Sequence, residues 1–267
     1  MSATTGDLLA TIVAATRHSV SVREQKRPRS AVERKISHLP RGDAFAAALR
    51  SGPAPRVIAE CKRRSPSKGI LRQDYDAPSH ARQYAEGGAA AISVLTEPTF
   101  FDGSLDDLRN VRRVVDVPLL RKDFIISDYQ LFEAVEAGAD AALLIVGALT
   151  DDELRGLIRR AAAMGLAALV EVHDETELQR ALDAGATVVG VNSRNLRSLA
   201  VDLGVLDRIA AALPSTITSV AESGIRTGAD MERLQQAGYH AFLVGERLIA
   251  QPDPGAALRE LRGRSKQ

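Results

Sequence analysis

The chain has 267 residues, 45% of them apolar, enough for one large core. Its formal net charge is +1 with 26% charged residues, so no global bias points to nucleic acid or an anionic membrane surface. One cysteine, Cys61, leaves no partner for an internal disulfide, and no run of about 18 apolar residues reads as a transmembrane helix.

Residues 1–50 read as two or three helices with a basic stretch, Arg23–Arg29, between them. That stretch is expected to be a solvated linker or helix face; the sharper reading is an extension that caps a barrel mouth. The mildly apolar Leu8 to Ala15 follows Asp7 with no basic residue before it, unlike a secretory signal. A cytoplasmic protein is expected.

Eight short β-like runs follow: Val57–Cys61, Ala90–Thr96, Pro118–Lys122, Ala141–Val146, Ala167–Val172, Thr187–Asn192, Ile217–Glu222 and Ala241–Gly245. Most are continuous apolar runs, the pattern of strands covered on both faces. Helical spacing appears between them, as in Asp128–Ala137, Asp151–Met164 and Glu175–Ala184. The phrases AEGGAAAISVL, VEAGADAALLIV, LDAGATVVGVN and QQAGYHAFLVG repeat one plan: a helix ends, Gly caps it, and a strand begins. Alternating β and α units imply a parallel sheet. Eight of them suit a closed (β/α)₈ TIM barrel, which removes both exposed edges. No GxGxxG follows the first strand, which disfavours an open dinucleotide-binding sheet. The expected architecture is one α/β domain over residues 1–267, with an N-terminal helical extension (1–50) and a barrel (55–267).

Active sites of such barrels lie at the C-terminal strand ends. Here those ends carry Glu60 and Lys62, Lys122, Glu171, Asn192 with Arg194 beyond it, Glu222-Ser223-Gly224, and Gly245. So many polar side chains aimed at one rim need partners or a task. The side-chain period of two puts Glu60 and Lys62 on one side of their strand and Cys61 on the other, as a small core residue. Of the 35 basic residues 29 are Arg and six are Lys, yet two of the six stand at strand ends. Arg cannot release its proton at working pH, whereas Lys can once burial or a nearby charge lowers its pKa. The plainer alternative is that Lys62 and Lys122 only neutralise substrate anions.

Loops after the seventh and eighth strands often bind phosphate, and Gly224 and Gly245 let backbone N–H groups approach one here. Ser65 and its basic loop, Arg63 to Gly69, add hydroxyls and charge. An RNA contact there is disfavoured, because no aromatic platform or wider basic patch accompanies it. Phe100, Phe101 and Phe124 could cover an aromatic ring or simply pack. His173 and Asp174 follow Glu171 and could support it from behind; a loop residue and a helix N-cap are the expected readings. Five scattered His and one Cys do not make a metal site.

The segments VIAECKRRSPSKG, SVLTEPTFFDGSL, PLLRKDFIISDYQ, LVEVHDETEL, GVNSRNL, VAESGI and FLVGERL resemble indole-3-glycerol phosphate synthase in order across nearly the whole barrel. That resemblance implies ring closure of 1-(2-carboxyphenylamino)-1-deoxyribulose 5-phosphate with loss of CO₂ and water, in tryptophan biosynthesis, without metal or organic cofactor. It implies Lys122 as general acid for ring closure and Lys62 as carboxylate binder and a second proton donor. Glu171 becomes the principal base, with Glu60, Asn192 and Ser223 holding reacting groups and Glu222 in support. Ser65, Gly224, Gly245 and Glu246 surround the phosphate, Arg194 stands at its rim, and Phe100 and Phe124 line the aromatic pocket. Glu246 stands where some relatives carry Ser, so its N–H must serve while its carboxylate turns away. The runner-up readings are another phosphate-binding barrel, such as phosphoribosylanthranilate isomerase, and a non-catalytic barrel binding phosphorylated metabolites. The expected partner is the phosphorylated small molecule alone, with no nucleic acid or membrane. A monomer is the default.

Overall fold

In the computed structural model, which describes residues 7–263, eight parallel strands close into one barrel. Residues 1–6 of the expected extension, and Lys266 with the end of the expected barrel span, lie outside the described residues. The strands are β1 (Val57–Cys61), β2 (Ala91–Leu95), β3 (Leu119–Lys122), β4 (Ala141–Ile145), β5 (Ala167–Val172), β6 (Val188–Asn192), β7 (Thr218–Glu222) and β8 (Ala241–Val244). Each pairs with its neighbours in chain order, and β8 closes on β1 through Val57↔Phe242 and Ala59↔Val244. Two strands coincide with the apolar runs, and the other six are shorter by one residue at one or both ends. The loop after β1 adds a small hairpin, Arg64–Ser65 against Gly69–Ile70.

The repeated Gly turns are helix caps. Gly88, Gly138, Gly185 and Gly238 have φ of +83, +91, +88 and +109°. The next amide in each reaches back five residues, as Ala89 N to Tyr84 O at 2.9 Å does.

Side-chain parity divides the core in two. Val57, Ala59, Cys61, Ile92, Val94, Val170, Val172, Val189 and Val191 pack outward against the helices. Ile58, Ala91, Leu120, Leu143, Leu169, Val188, Val220 and Leu243 fill the barrel. Glu60, Lys122, Glu171, Asn192 and Glu222 have the parity of the inner set and stand above it.

The extension forms α1 (Leu8–Lys26), α2 (Arg29–Glu33) and α3 (Gly42–Ser51). Helix α3 lies under the N-terminal end of the barrel. Gly42 N donates to Gly165 O at 3.0 Å, and Phe45 and Leu49 are buried in the inner core. Helix α1 runs along the opposite, C-terminal rim. Its Leu9 and Ile12 join the inner core with Phe124 and Ile145, and Ala15, Thr16 and Ser19 border a cavity shared with Thr96–Thr99.

The stretch Arg23–Arg29 is therefore not a linker: it ends α1 and begins α2. Its side chains pair with α6 (Asp128–Glu136): Arg23 with Glu133 at 2.8 Å, Arg27 with Glu136 at 3.1 Å, Arg29 with Asp128 at 3.3 Å. Glu133 also meets Arg121, which points outward from β3 and is held by Asp123 at 2.8 Å and by Gln130 O at 2.6 Å. Burial of two guanidiniums here is compensated by two carboxylates, as a low-dielectric site requires.

Candidate active site

Every strand-end residue expected to carry chemistry sits at the C-terminal mouth, and most touch one another. Lys122 on β3 is the hub. Its Nζ donates to Glu171 Oε2 on β5 at 3.0 Å and to Glu222 Oε2 on β7 at 2.8 Å. Asn192 on β6 donates from Nδ2 to Glu171 Oε1 at 3.2 Å. Asn192 Oδ1 in turn accepts from Ser223 Oγ at 2.7 Å and Arg194 N at 3.0 Å. On β1, Lys62 is ion-paired with Glu60, and Cys61 faces away into the outer core with its thiol toward Ala77 O. The alternation expected for that strand is what the backbone delivers.

The electrostatics correct one expectation. Lys122 was expected to have its pKa lowered. Burial does work against its charge, but Glu171, Glu222 and Glu60 outweigh burial and raise the pKa. The free site thus holds Lys122 as an ammonium. Burial works to raise the pKa of Glu171, and Lys122 and His173 overcome it, so Glu171 stays ionised. Glu222 is driven the other way, up to about 7, by burial and by the charge of Glu171 despite Lys122. Two carboxylates sharing one ammonium separate in this manner into a base and a near-neutral acid.

The residues expected to surround a phosphate lie on loops after the adjacent strands β7, β8 and β1. Ser223 and Gly224 both have left-handed backbone, φ +64 and +74°. A non-glycine residue held there costs about 1–3 kcal/mol, a strain typical of functional turns. Gly245 precedes the short helix α11 (Glu246–Ile249), and a Cβ on it would stand 2.2 Å from Glu60 Oε2. Ser65 is buried and accepts Lys68 N at 3.2 Å. The Glu246 carboxylate pairs with Lys68 at 3.3 Å, which compensates its charge from the β1 hairpin. Arg194 is not gathered with this group: its Nη1 donates to Leu199 O at 3.2 Å, within its own loop.

On the aromatic side, Phe124 packs with Phe101 at a centroid distance of 6.1 Å, while Phe100 borders the same inner core. The loop carrying both phenylalanines is organised by Glu97, which the sequence reading passed over. Its buried carboxylate accepts the amides of Thr99 at 2.9 Å, Phe100 at 2.6 Å and Phe101 at 3.1 Å. An acidic residue just before a run of otherwise unpaired amides is the available signal.

One more residue was missed. Gly190 lies inside β6, where a Cβ would stand 2.1 Å from Glu222 Oε1. Gly in a strand interior marks such a close approach. Asp174 is the expected N-cap, of α8 (Glu175–Asp183), accepting Glu177 N at 2.7 Å. His173 is more than a loop residue, since its Nε2 lies 3.4 Å from Glu171 Oε1, an ion-pair distance without hydrogen-bond alignment. Among the described residues no three His, Cys, Asp or Glu side chains are grouped to hold a metal ion.

A closed parallel barrel of this shape recurs in solved structures. The chain superposes on 3-hexulose-6-phosphate synthase with a TM-score of 0.63 at 20% identity, over 79% of this chain and 99% of that one. For thiamine phosphate pyrophosphorylase from Pyrococcus furiosus the TM-score is 0.61 at 19% identity, over 82% and 96%. At that identity these matches establish the fold alone. Sequence relatives say more. The indole-3-glycerol phosphate synthase of Parafrankia sp. is 48% identical over 245 residues, 92% of this chain and 91% of its own length. That of Nocardioides sp. is 56% identical over 207 residues, 78% and 80% of the two chains. The family model for indole-3-glycerol phosphate synthase matches residues 9–261, from the first turn of α1 to the end of the last helix, and the chain belongs to that family.

Proposed function

We propose that Lys122 is the general acid and Glu171 the principal base of the reaction this family performs. That reaction, indole-3-glycerol phosphate synthesis, is the carboxy-lyase step of tryptophan biosynthesis. It closes a pyrrole ring on 1-(2-carboxyphenylamino)-1-deoxyribulose 5-phosphate. The observation that carries the proposal is the position of Lys122 Nζ, 3.0 and 2.8 Å from two carboxylates at the bottom of the mouth.

An ammonium held there has a proton ready for the ketone oxygen as the ring carbon attacks. Glu171, kept ionised, is ready to take the carbon-bound proton when the indole aromatises. Lys62 binds the substrate carboxylate, with Glu60 fixing its direction, and serves as the second donor when the hydroxyl leaves. Asn192 and Ser223 keep Glu171 oriented, and Glu222 supports Lys122. The phosphate lies against Ser65, Gly224, Gly245 and the Glu246 amide, with Arg194 at the rim. Phe100 and Phe124 take the aryl ring. The protein works as a cytoplasmic monomer on this small molecule, without nucleic acid or a membrane. Among the described residues no helix is long and apolar enough to cross a membrane.

The test is turnover of that substrate followed by indole fluorescence. Lys122→Arg keeps the charge but cannot transfer a proton, so kcat falls at least roughly 10²-fold. Glu171→Gln falls similarly while still binding product. Near-normal turnover in Lys122→Arg overturns the acid, and loss of product binding in Glu171→Gln makes that residue a scaffold instead.

A further inference from the structure

Left-handed backbone at a residue other than glycine persists only where the surroundings impose it. Ser223, at φ +64°, is such a residue, and Gly224, at φ +74°, follows it. Their turn serves the site in two directions. Ser223 Oγ donates to Asn192 Oδ1 at 2.7 Å, on the side of the base. The Gly224 N–H is an amide expected to meet the phosphate, and among the described residues no hydrogen bond engages it.

Ser193, the residue that follows β6, holds this turn from behind. It is 3% exposed, and its Oγ donates to Ser223 O at 3.2 Å. Its own backbone is fixed on both sides. Ser193 N donates to Glu222 O at 3.1 Å, and Ser193 O accepts Asp202 N at 2.8 Å. Leu203 covers the next residue, since a Cβ on Gly224 would stand 2.5 Å from Leu203 Cδ2. A trans peptide is planar, and its C=O and N–H point to opposite sides. By holding Ser223 O, the Ser193 hydroxyl therefore fixes the direction of the Gly224 N–H.

We propose that Ser193 is a positioning residue for phosphate binding: its hydroxyl holds the Ser223–Gly224 peptide in the orientation that presents the Gly224 N–H to the anion. Without the hydroxyl, that peptide plane is free to turn through ψ of Ser223 and φ of Gly224. Glycine tolerates either sign of φ, so the turn costs little on that side. The N–H then swings away and the phosphate loses one donor. Ser223 reaches Asn192 through its side chain rather than this carbonyl, so the groups around Glu171 keep their partners. The inference rests on the reading that places the phosphate at Gly224.

The test compares Ser193→Ala and Ser193→Thr with the unaltered protein in kcat, KM and competitive inhibition by inorganic phosphate at constant ionic strength. In protein carrying isotopically labelled glycine, the Gly224 amide resonance is followed as inorganic phosphate is added. In Ser193→Ala, KM and the phosphate inhibition constant rise together by roughly fivefold, the scale of one lost hydrogen bond, while kcat stays within about twofold. Ser193→Thr keeps the hydroxyl and recovers both. The Gly224 resonance moves with phosphate in the unaltered protein and responds less in Ser193→Ala. Unchanged KM and inhibition constant in Ser193→Ala, a loss confined to kcat, or an equal loss in Ser193→Thr overturns the proposal. The resonance separates the two readings. If it ignores phosphate in the unaltered protein, the placement of the phosphate fails and the inference with it. If it responds alike in both proteins with the inhibition constant unchanged, only the role of Ser193 fails.

Discussion

Glu222 and Gly190 compete for one volume at the bottom of the site. The strand register sets Glu171 beside Gly190 and Asn192 beside Glu222, so the two glutamates lean over Gly190, where β6 carries no side chain. A methyl group on residue 190 would meet Glu222 Oε1 at 2.1 Å, well inside contact distance. Gly190→Ala therefore pushes the Glu222 carboxylate off Lys122 rather than merely filling space. Overpacking of this kind costs about 1–3 kcal/mol of stability. Loss of one carboxylate leaves Lys122 less firmly placed, and kcat falls on the order of 10-fold. Because the clash is with the far end of Glu222, shortening it relieves the strain. The double variant Gly190→Ala/Glu222→Asp loses less stability than the two single variants added together, by denaturant titration. Strict additivity would show that the two residues do not share the volume. None of this is legible in the residue string, where Gly190 is one more small residue in an apolar run. For residues that act through a neighbour, such as Gly190 and Glu97, the string shows that something approaches but not what: Glu222 Oε1 in one case, three loop amides in the other.

At the scale of the element, legibility depends on whether order is local. The strands read clearly because parallel strands are apolar on both faces and five of the eight follow a left-handed Gly that ends a helix: Gly88, Gly138, Gly165, Gly185 and Gly238. The ends of those strands named the polar residues that meet at the mouth, since the barrel places C-terminal ends together. Helix α1 read poorly. Leu9, Ile12, Thr16 and Val20 are buried among exposed polar residues, and its anchors lie more than a hundred positions away, as in Arg23 to Glu133. The loop after β2 is intermediate: its phenylalanines were visible, but the residue that shapes it was not. Glu97 holds three consecutive amides with one carboxylate, so the ring positions depend on it. Glu97→Ala frees those amides and loosens Phe100 and Phe101. The expected result is KM for the aryl substrate raised roughly tenfold, the worth of one lost hydrogen bond to a charged group, with kcat less affected. Steady-state kinetics decide it: a kcat loss with KM unchanged would mean the loop serves the chemistry instead.

Across the whole molecule, the two ends of the barrel do different work. The C-terminal mouth stores unfavourable features: left-handed Ser223, three buried glutamates around two lysines, and a Glu222 whose pKa burial and Glu171 push up. The N-terminal end compensates with well-satisfied polar contacts, chiefly around Asp140, which is fully buried just before β4. Its carboxylate lies 3.1 Å from His38 Nε2 and accepts Arg41 N, Arg112 Nη1 and Leu119 N, each at 2.9 Å. It thereby joins the segment before α3, the end of α5 (Leu105–Arg112) and the start of β3. Asp140→Ala strands those donors in a buried place, at a cost of roughly 3–5 kcal/mol. For a chain of this size that lowers Tm on the order of 10 °C. Asp140→Asn, which keeps an acceptor but loses the charge, falls between. Since no residue of the mouth touches this cluster, kcat at a temperature where the variant stays folded should match the unaltered protein. Thermal unfolding by circular dichroism and kcat at 25 °C test the pair of claims together. A variant with normal Tm would show that the carboxylate is not what ties the lower end. One with normal stability margin at the assay temperature but depressed kcat would show that the two ends are coupled through the barrel.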